Sequence, residues 1–261
     1  MTNRIKKIIM CLLMIVFLPT TALAHTSSPP YETPTIFGYK YSFTSEVDLR
    51  GSIPPTVEAV ATVKVLENQA VPTGYMGANA RLYNSSGALQ ASSGPVYNVG
   101  TTSMFFVYSP RISTPGQYYA HNIGLFYNGN GYNTYIGYES PIQTLSRSSS
   151  ESKTDAPKVI EELIAQEAYA VNENGETYGS SLSAYTIGVE PDLISAVSTN
   201  GVNGYVRADE LTPKVSTIEE ALKLMGKKGD VRTIPIYDAD GKTVLGEFEM
   251  VTNYELVKET E

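Results

Sequence analysis

Cysteine, histidine and tryptophan are almost absent. The 261-residue chain has one cysteine, two histidines and no tryptophan. A single cysteine cannot form an internal disulfide, and a disulfide-stapled mini-protein is excluded. One cysteine and two histidines are too few to build a Cys/His zinc site. Basic residues are also short: 19 Lys and Arg stand against 27 Asp and Glu, a formal net charge of −8. Such a balance offers nothing to neutralise a phosphate backbone, so no nucleic-acid partner is expected. Long apolar runs are missing too. The longest, Ile8 to Leu18, falls short of the roughly 20 residues a membrane-spanning helix needs.

That short run has a specific context. Arg4, Lys6 and Lys7 precede it, Pro19 and Thr20 break it, and Ala22-Leu23-Ala24 places small residues before His25. This is the layout of a secretory signal peptide over residues 1–24. The expected location is secreted or extracellular, with or without cell-wall association, and no membrane span is expected after cleavage. Cys11 lies inside the apolar run rather than directly after the cut, so no lipid anchor is expected. Cleavage removes three bases and no acid, leaving 27 acids and 16 bases, a net of −11, and no cysteine. An exported chain without cysteine depends on its core alone. That usage suits exported proteins of Gram-positive bacteria.

The rest of the chain divides by composition. Residues 146–156 (SRSSSESKTDA) read as a polar linker. Between Pro30 and Arg147 there are six acids and six bases; from Glu151 onward there are 21 acids and 10 bases. Thirteen of the 19 tyrosines fall between Tyr31 and Tyr138. That first stretch alternates apolar and polar residues, as in Val57 to Val65 and Met76 to Tyr83. Asn84-Ser85-Ser86-Gly87 and Asn128-Gly129-Asn130-Gly131 supply hairpin turns. The expectation is a multi-domain chain: a flexible tail over 25–34, an all-β antiparallel sandwich over 35–145, and a small acidic α+β domain over 157–261. In the last region Pro157 to Ala168 reads as a helix. Ser216 and Thr217 cap a second helix that Gly226 closes, and Asp240-Gly241 marks a hairpin. Tyr169 to Tyr178 reads as another hairpin around Asn174-Gly175, while Pro191 to Val197 fits helix or strand.

The stretch Tyr169-Ala170-Val171-Asn172-Glu173-Asn174-Gly175-Glu176-Thr177-Tyr178-Gly179-Ser180, with Glu190-Pro191-Asp192-Leu193-Ile194, Gly204-Tyr205-Val206-Arg207 and Ile234 to Phe248, carries a resemblance. Residues 169–250 resemble a domain of secreted and membrane-anchored Gram-positive proteins, one also found beside BlaR1-like membrane peptidases. The resemblance implies a family setting but no activity, and no peptidase zinc motif is present. The first region is similar to small secreted β domains through Ala80 to Gly87 and Tyr127 to Thr134.

No catalytic constellation stands out. There is no Gly-x-Ser-x-Gly elbow, and no serine marks itself as a partner of His121. Asp238-Ala239-Asp240-Gly241 fits a hairpin turn better than a calcium loop. The chain is therefore expected to be non-enzymatic and to need no cofactor. Four Tyr-Asn dipeptides recur, at Tyr83, Tyr97, Tyr127 and Tyr132. Tyrosine gives large contact area with few rotatable bonds, and Asn, Ser and Gly give adaptable hydrogen bonds. The candidate ligand-binding residues are Tyr127, Tyr132, Tyr135, Asn128 and Asn133, around the glycine-rich loop. The expected partner is a cell-wall glycan or an extracellular protein. One alternative is a secreted copper oxidoreductase: His25, as an N-terminal residue, could chelate copper with its amino group and ring, and His121 could complete the set. A further alternative is a structural or antagonistic secreted protein with no small ligand.

Overall fold

A computed structural model describes residues 25–146 and 156–257. The expected signal segment and most of the expected linker lie outside the described residues. In chain order, the elements before the linker are β1 (His25–Ser27), β2 (Tyr31–Glu32), β3 (Tyr41–Arg50), β4 (Thr56–Val65), β5 (Met76–Asn79), β6 (Arg81–Asn84), β7 (Leu89–Ser92), β8 (Val96–Tyr97), β9 (Met104–Tyr108), β10 (Gly116–Ala120), β11 (Ile123–Tyr127), β12 (Tyr132–Ile136) and β13 (Gln143–Leu145). After it come α1 (Ala156–Ile164), β14 (Ala170–Val171), β15 (Thr177–Gly179), a 3₁₀ turn (Ser181–Ser183), α2 (Ala184–Ile187), β16 (Leu193–Val197), β17 (Asn203–Arg207), α3 (Ala208–Leu211), α4 (Ile218–Met225), β18 (Val231–Tyr237), β19 (Val244–Val251) and β20 (Tyr254–Leu256). The chain is mostly β, and most neighbouring strands pair antiparallel.

Local chemistry explains many of these elements. In β4, Val57, Ala59, Ala61, Val63 and Val65 recur at every second position and are all buried. This is the period of a strand with a covered face. The β6–β7 turn is held by Asn84, whose side-chain oxygen accepts from the Ser86 and Ala88 amides, while Gly87 takes φ 80°. Helix α4 starts in a capping box: Thr217 Oγ1 accepts from the Glu220 amide and the Glu220 carboxylate from the Ser216 amide. The ambiguous stretch after Pro191 is strand β16. It pairs antiparallel with β17 through all five residues, Leu193↔Arg207 to Val197↔Asn203.

Among the described residues the strands form three sheets. A six-stranded sheet has the order β1-β3-β4-β9-β20, with β2 also on β3. A four-stranded sheet has the order β12-β11-β5-β8. A core cluster draws Tyr41, Phe43, Val63, Phe105 and Val107 from the first and Met76, Val96, Ile123, Leu125 and Phe126 from the second. The Tyr41 and Phe126 rings stack across it at 4.3 Å. The third sheet is ten-stranded, β13-β10-β6-β7-β19-β18-β17-β16-β15-β14.

That long sheet contains strands from both sides of the linker. β7 pairs parallel with β19 at Ser92↔Met250 and with β16 at Leu89↔Ala196. β20 returns to the other sheet and pairs with β9, Tyr254↔Val107 to Leu256↔Phe105. Helix α4 buries Ala221 and Met225 in the same cluster as Tyr97 and Phe126. The change in composition at 146–156 is therefore not a break in hydrogen bonding or in the core.

The stretch 25–34, expected to be a flexible tail, is instead built into a sheet. His25, Thr26 and Ser27 pair with Asp48, Val47 and Glu46, and Tyr31 with Phe43. The cause is the free edge of β3, whose backbone groups gain partners that a Ser/Pro-rich segment can supply. Among the described residues no helix is long and apolar enough to cross a membrane.

Candidate binding surfaces

Two turns from distant parts of the first half meet at one end of the molecule. In the β11–β12 turn, Gly129 and Gly131 take φ 96° and 108°, Asn128 Oδ1 accepts from the Asn130 amide, and Asn128 Nδ2 donates to Asn133 Oδ1 at 2.7 Å. The Tyr127 hydroxyl donates to the Gly129 carbonyl. The second turn runs from Ile36 to Tyr39, closed by amide–carbonyl bonds of 2.7 and 3.0 Å. Its centre is Phe37 at φ 47° and Gly38 at φ 90°. A left-handed phenylalanine costs on the order of 1 kcal/mol, and a glycine would not carry that cost. The backbone so held lays the Phe37 ring over Gly129, where an added Cβ would come within 2.9 Å of it.

The result is a contiguous aromatic patch. Phe37 stands 5.6 Å from Tyr127 and 5.9 Å from Tyr75; Tyr75 stands 5.4 Å from Tyr127 and 5.9 Å from Tyr39. Phe37 remains 53% exposed within this patch. Of the residues singled out in the sequence, Tyr127 belongs to this patch, and Asn128 and Asn133 fix its turn. Tyr132 is a half-buried anchor: its ring touches Tyr127 and Tyr97, and its hydroxyl donates to the Gly74 carbonyl at 2.7 Å. Tyr135 is not part of the patch. It lies on the other face of β12, beside Phe126 and Tyr31. Phe37, Tyr39 and Tyr75 escape sequence reading because no local pattern brings them to Tyr127.

A second feature is a cavity of about 700 Å³. Its walls come from β12 (Thr134, Ile136), the β14–β15 turn (Glu176), the segment from Gly188 to Asp192, the start of α3, and Thr212 and Lys214. Arg207 on its wall binds Glu176 Oε1 at 2.8 Å and the Gly241 carbonyl, and lies over the Tyr237 ring. Hydrogen bonds from Asn172 and Arg207 hold the Glu176 carboxyl below its usual range. Asp192 is held low in the same way by the Thr177 amide and hydroxyl, at 2.8 and 2.7 Å.

Behind this cavity lies a buried polar tie. Arg81 on β6 is fully buried, with Nη1 at 2.5 Å from Glu190 Oε1 and Nη2 at 2.8 Å from Thr212 Oγ1. The Ser181 hydroxyl also donates to Glu190. Asn79 reaches Thr212 and is itself held by Ser92. Burial works against the Glu190 charge, but Arg81 and Ser181 more than offset it, and the carboxyl stays below its ordinary range. The Tyr83 hydroxyl lies close to Arg81 and Ser181 without forming a well-aligned hydrogen bond.

His121 is inside the same region. Its ring nitrogen Nε2 donates to the Gly137 carbonyl at 3.0 Å, which leaves Nδ1 as a buried acceptor without a partner. Burial lowers its pKa to about 4, so the ring is neutral at neutral pH. His25 is elsewhere, in an exposed position on β1, with Nδ1 2.6 Å from Asp48 Oδ1 and Nε2 3.7 Å from Glu46 Oε2. The two histidines are thus engaged separately rather than in one ligand set. Among the described residues, no group of three or more His, Cys, Asp or Glu side chains is arranged to hold a metal ion. No protein-family model, curated protein or solved structure matches this chain.

Proposed function

We propose that this chain is a secreted, non-enzymatic binding protein of the bacterial cell envelope, and that its aromatic end stacks on a neutral glycan. In this reading residues 1–24 direct export and are removed. The two sheets that share Tyr41 and Phe126 serve as a sandwich-like scaffold presenting the turns. The observation that carries the reading is the ring cluster Phe37, Tyr39, Tyr75 and Tyr127 around an Asn/Gly turn. Apolar ring faces suit the C–H faces of sugars. The exposed Asn130 side chain suits hydroxyl groups, and no ionic partner is needed.

The test is retention on purified cell-wall polysaccharide. The wild-type chain is expected to bind. Tyr127→Ala and Phe37→Ala are each expected to weaken binding by about tenfold, equivalent to about 1.4 kcal/mol. Unchanged retention in both variants, or no retention of the wild type, contradicts the reading.

A further inference from the structure

β12 is the outermost strand of the four-stranded sheet, paired only with β11 among the described residues. The phase of that ladder is fixed at both ends, by the Asn128 amide on the Gly131 carbonyl and the Gly137 amide on the Asn122 carbonyl. Residues directly opposite in an antiparallel pair alternate between bonded and non-bonded. With Phe126↔Asn133 and Gly124↔Tyr135 in register, Asn133 and Tyr135 carry the bonds to β11. The amides and carbonyls of Thr134 and Ile136 therefore point away from β11. Both residues line the 700 Å³ cavity. An open strand edge thus borders an open space, without a proline, lysine or bulge to block pairing.

The opposite wall has a matched chemistry. Glu190 is fixed by Arg81, Thr212 lies beside it, and Asp192 is fixed by Thr177. Arg207 is already neutralised by Glu176, and Arg81 by Glu190. Asp192 and Asp209 are then left against a single cation on the wall, Lys214. Ile136, Val189, Pro191 and Ala208 supply apolar surface between the charges. We propose that this cavity binds an extended peptide, which adds as a strand to β12 through Thr134 and Ile136 and directs a lysine or arginine side chain toward Asp192 and Asp209. Main-chain bonds along the edge supply affinity, and the carboxylates select the side chain. Asp192 is held by Thr177 before the ligand arrives, so it needs little ordering on binding. The residues that line the cavity are distinct from Phe37, Tyr39, Tyr75 and Tyr127.

The experiment uses the full chain and two fluorescein-labelled heptapeptides, one alternating valine and lysine and the other valine and glutamate, followed by fluorescence anisotropy. The lysine peptide is expected to bind at least about tenfold more tightly than the glutamate peptide. Thr134→Pro removes an outward amide without touching the β11 ladder, and edge strands accept proline. It is expected to weaken the lysine peptide by about tenfold or more. Asp192→Asn with Asp209→Asn is expected to erase the preference between the two peptides, and this second variant keeps the test open should Thr134→Pro fail to fold. Equal binding of both peptides by the wild type, binding unaffected by both variants, or no binding overturns the proposal. So does a dimer in sedimentation velocity that Thr134→Pro dissolves, since the edge would then be occupied by a second copy.

Discussion

Glu58 and Glu190 are both carboxylates held by arginine, but they join different things. Glu58 is 1% exposed and receives Arg50 Nε at 2.6 Å and Arg111 Nε at 3.0 Å. Its two partners reach solvent, and all three residues lie in the first half. In the second case the positions are reversed: Arg81 is the fully buried member, and its carboxylate partner sits 109 residues away at the wall of the cavity. The first cluster secures one end of the β3–β4 hairpin. The second ties the neutral half of the chain to the acidic half. Removing Glu58 leaves two guanidinium groups that water can reach. Removing Glu190 leaves one that water cannot, and the difference in solvation decides which loss is worse.

The largest expected effect follows from that difference. Glu190→Leu strands the Arg81 charge and is expected to lower unfolding free energy by about 3–5 kcal/mol in urea denaturation. Arg81→Met with Glu190→Leu is expected to recover much of the loss, because no unpaired charge remains. A loss equal to that of Glu58→Gln would break the comparison.

The pH dependence comes next. His121 titrates near 6.5 when unfolded and near 4 when folded, so between these values only the unfolded chain takes up the proton. Stability is therefore full above about pH 6.5 and falls by about 3 kcal/mol on the way to pH 4. The lowered Glu190 carboxyl acts in the same direction and extends the loss further into acid. His121→Asn is expected to flatten the slope between pH 6.5 and 4 in melting curves.

Smaller effects sharpen the contrast. Glu58→Gln is expected to cost about 1 kcal/mol, since Arg50 and Arg111 are 32% and 56% exposed and can rehydrate. Phe37→Gly is expected to be close to neutral or stabilising by up to about 1 kcal/mol, because it relieves a left-handed backbone at the expense of ring contacts. The same substitution is expected to weaken glycan retention, which separates the role of Phe37 from stability.

What could be read from the sequence was what depends on near neighbours. The Asn84–Gly87 and Asp240–Gly241 turns and the capped helix after Thr217 each carry their own geometry in a few residues. Pairings between distant segments carry no such mark. Nothing local in Leu89 to Ser92 shows that β7 lies between β6 and β19, or that Tyr254 to Leu256 returns to β9. The abrupt rise in acidity after the linker reports surface composition, and a surface can change while one sheet runs on beneath it. The candidate site divides in the same way. Tyr127, Asn128 and Asn133 belong to one hairpin and were legible together. Phe37 and Tyr75 join them only through the fold. Arg81 in an alternating strand reads as a solvent-facing residue until Glu190 is placed beside it.

The most direct measurement is co-sedimentation with insoluble cell-wall polysaccharide at low and at high salt, comparing the wild type with Tyr75→Ala/Tyr127→Ala. Stacking on a neutral glycan predicts wild-type retention that survives high salt, since no ion pair is screened, and near-complete loss in the double variant. Retention that disappears with salt and persists in the double variant would contradict the account.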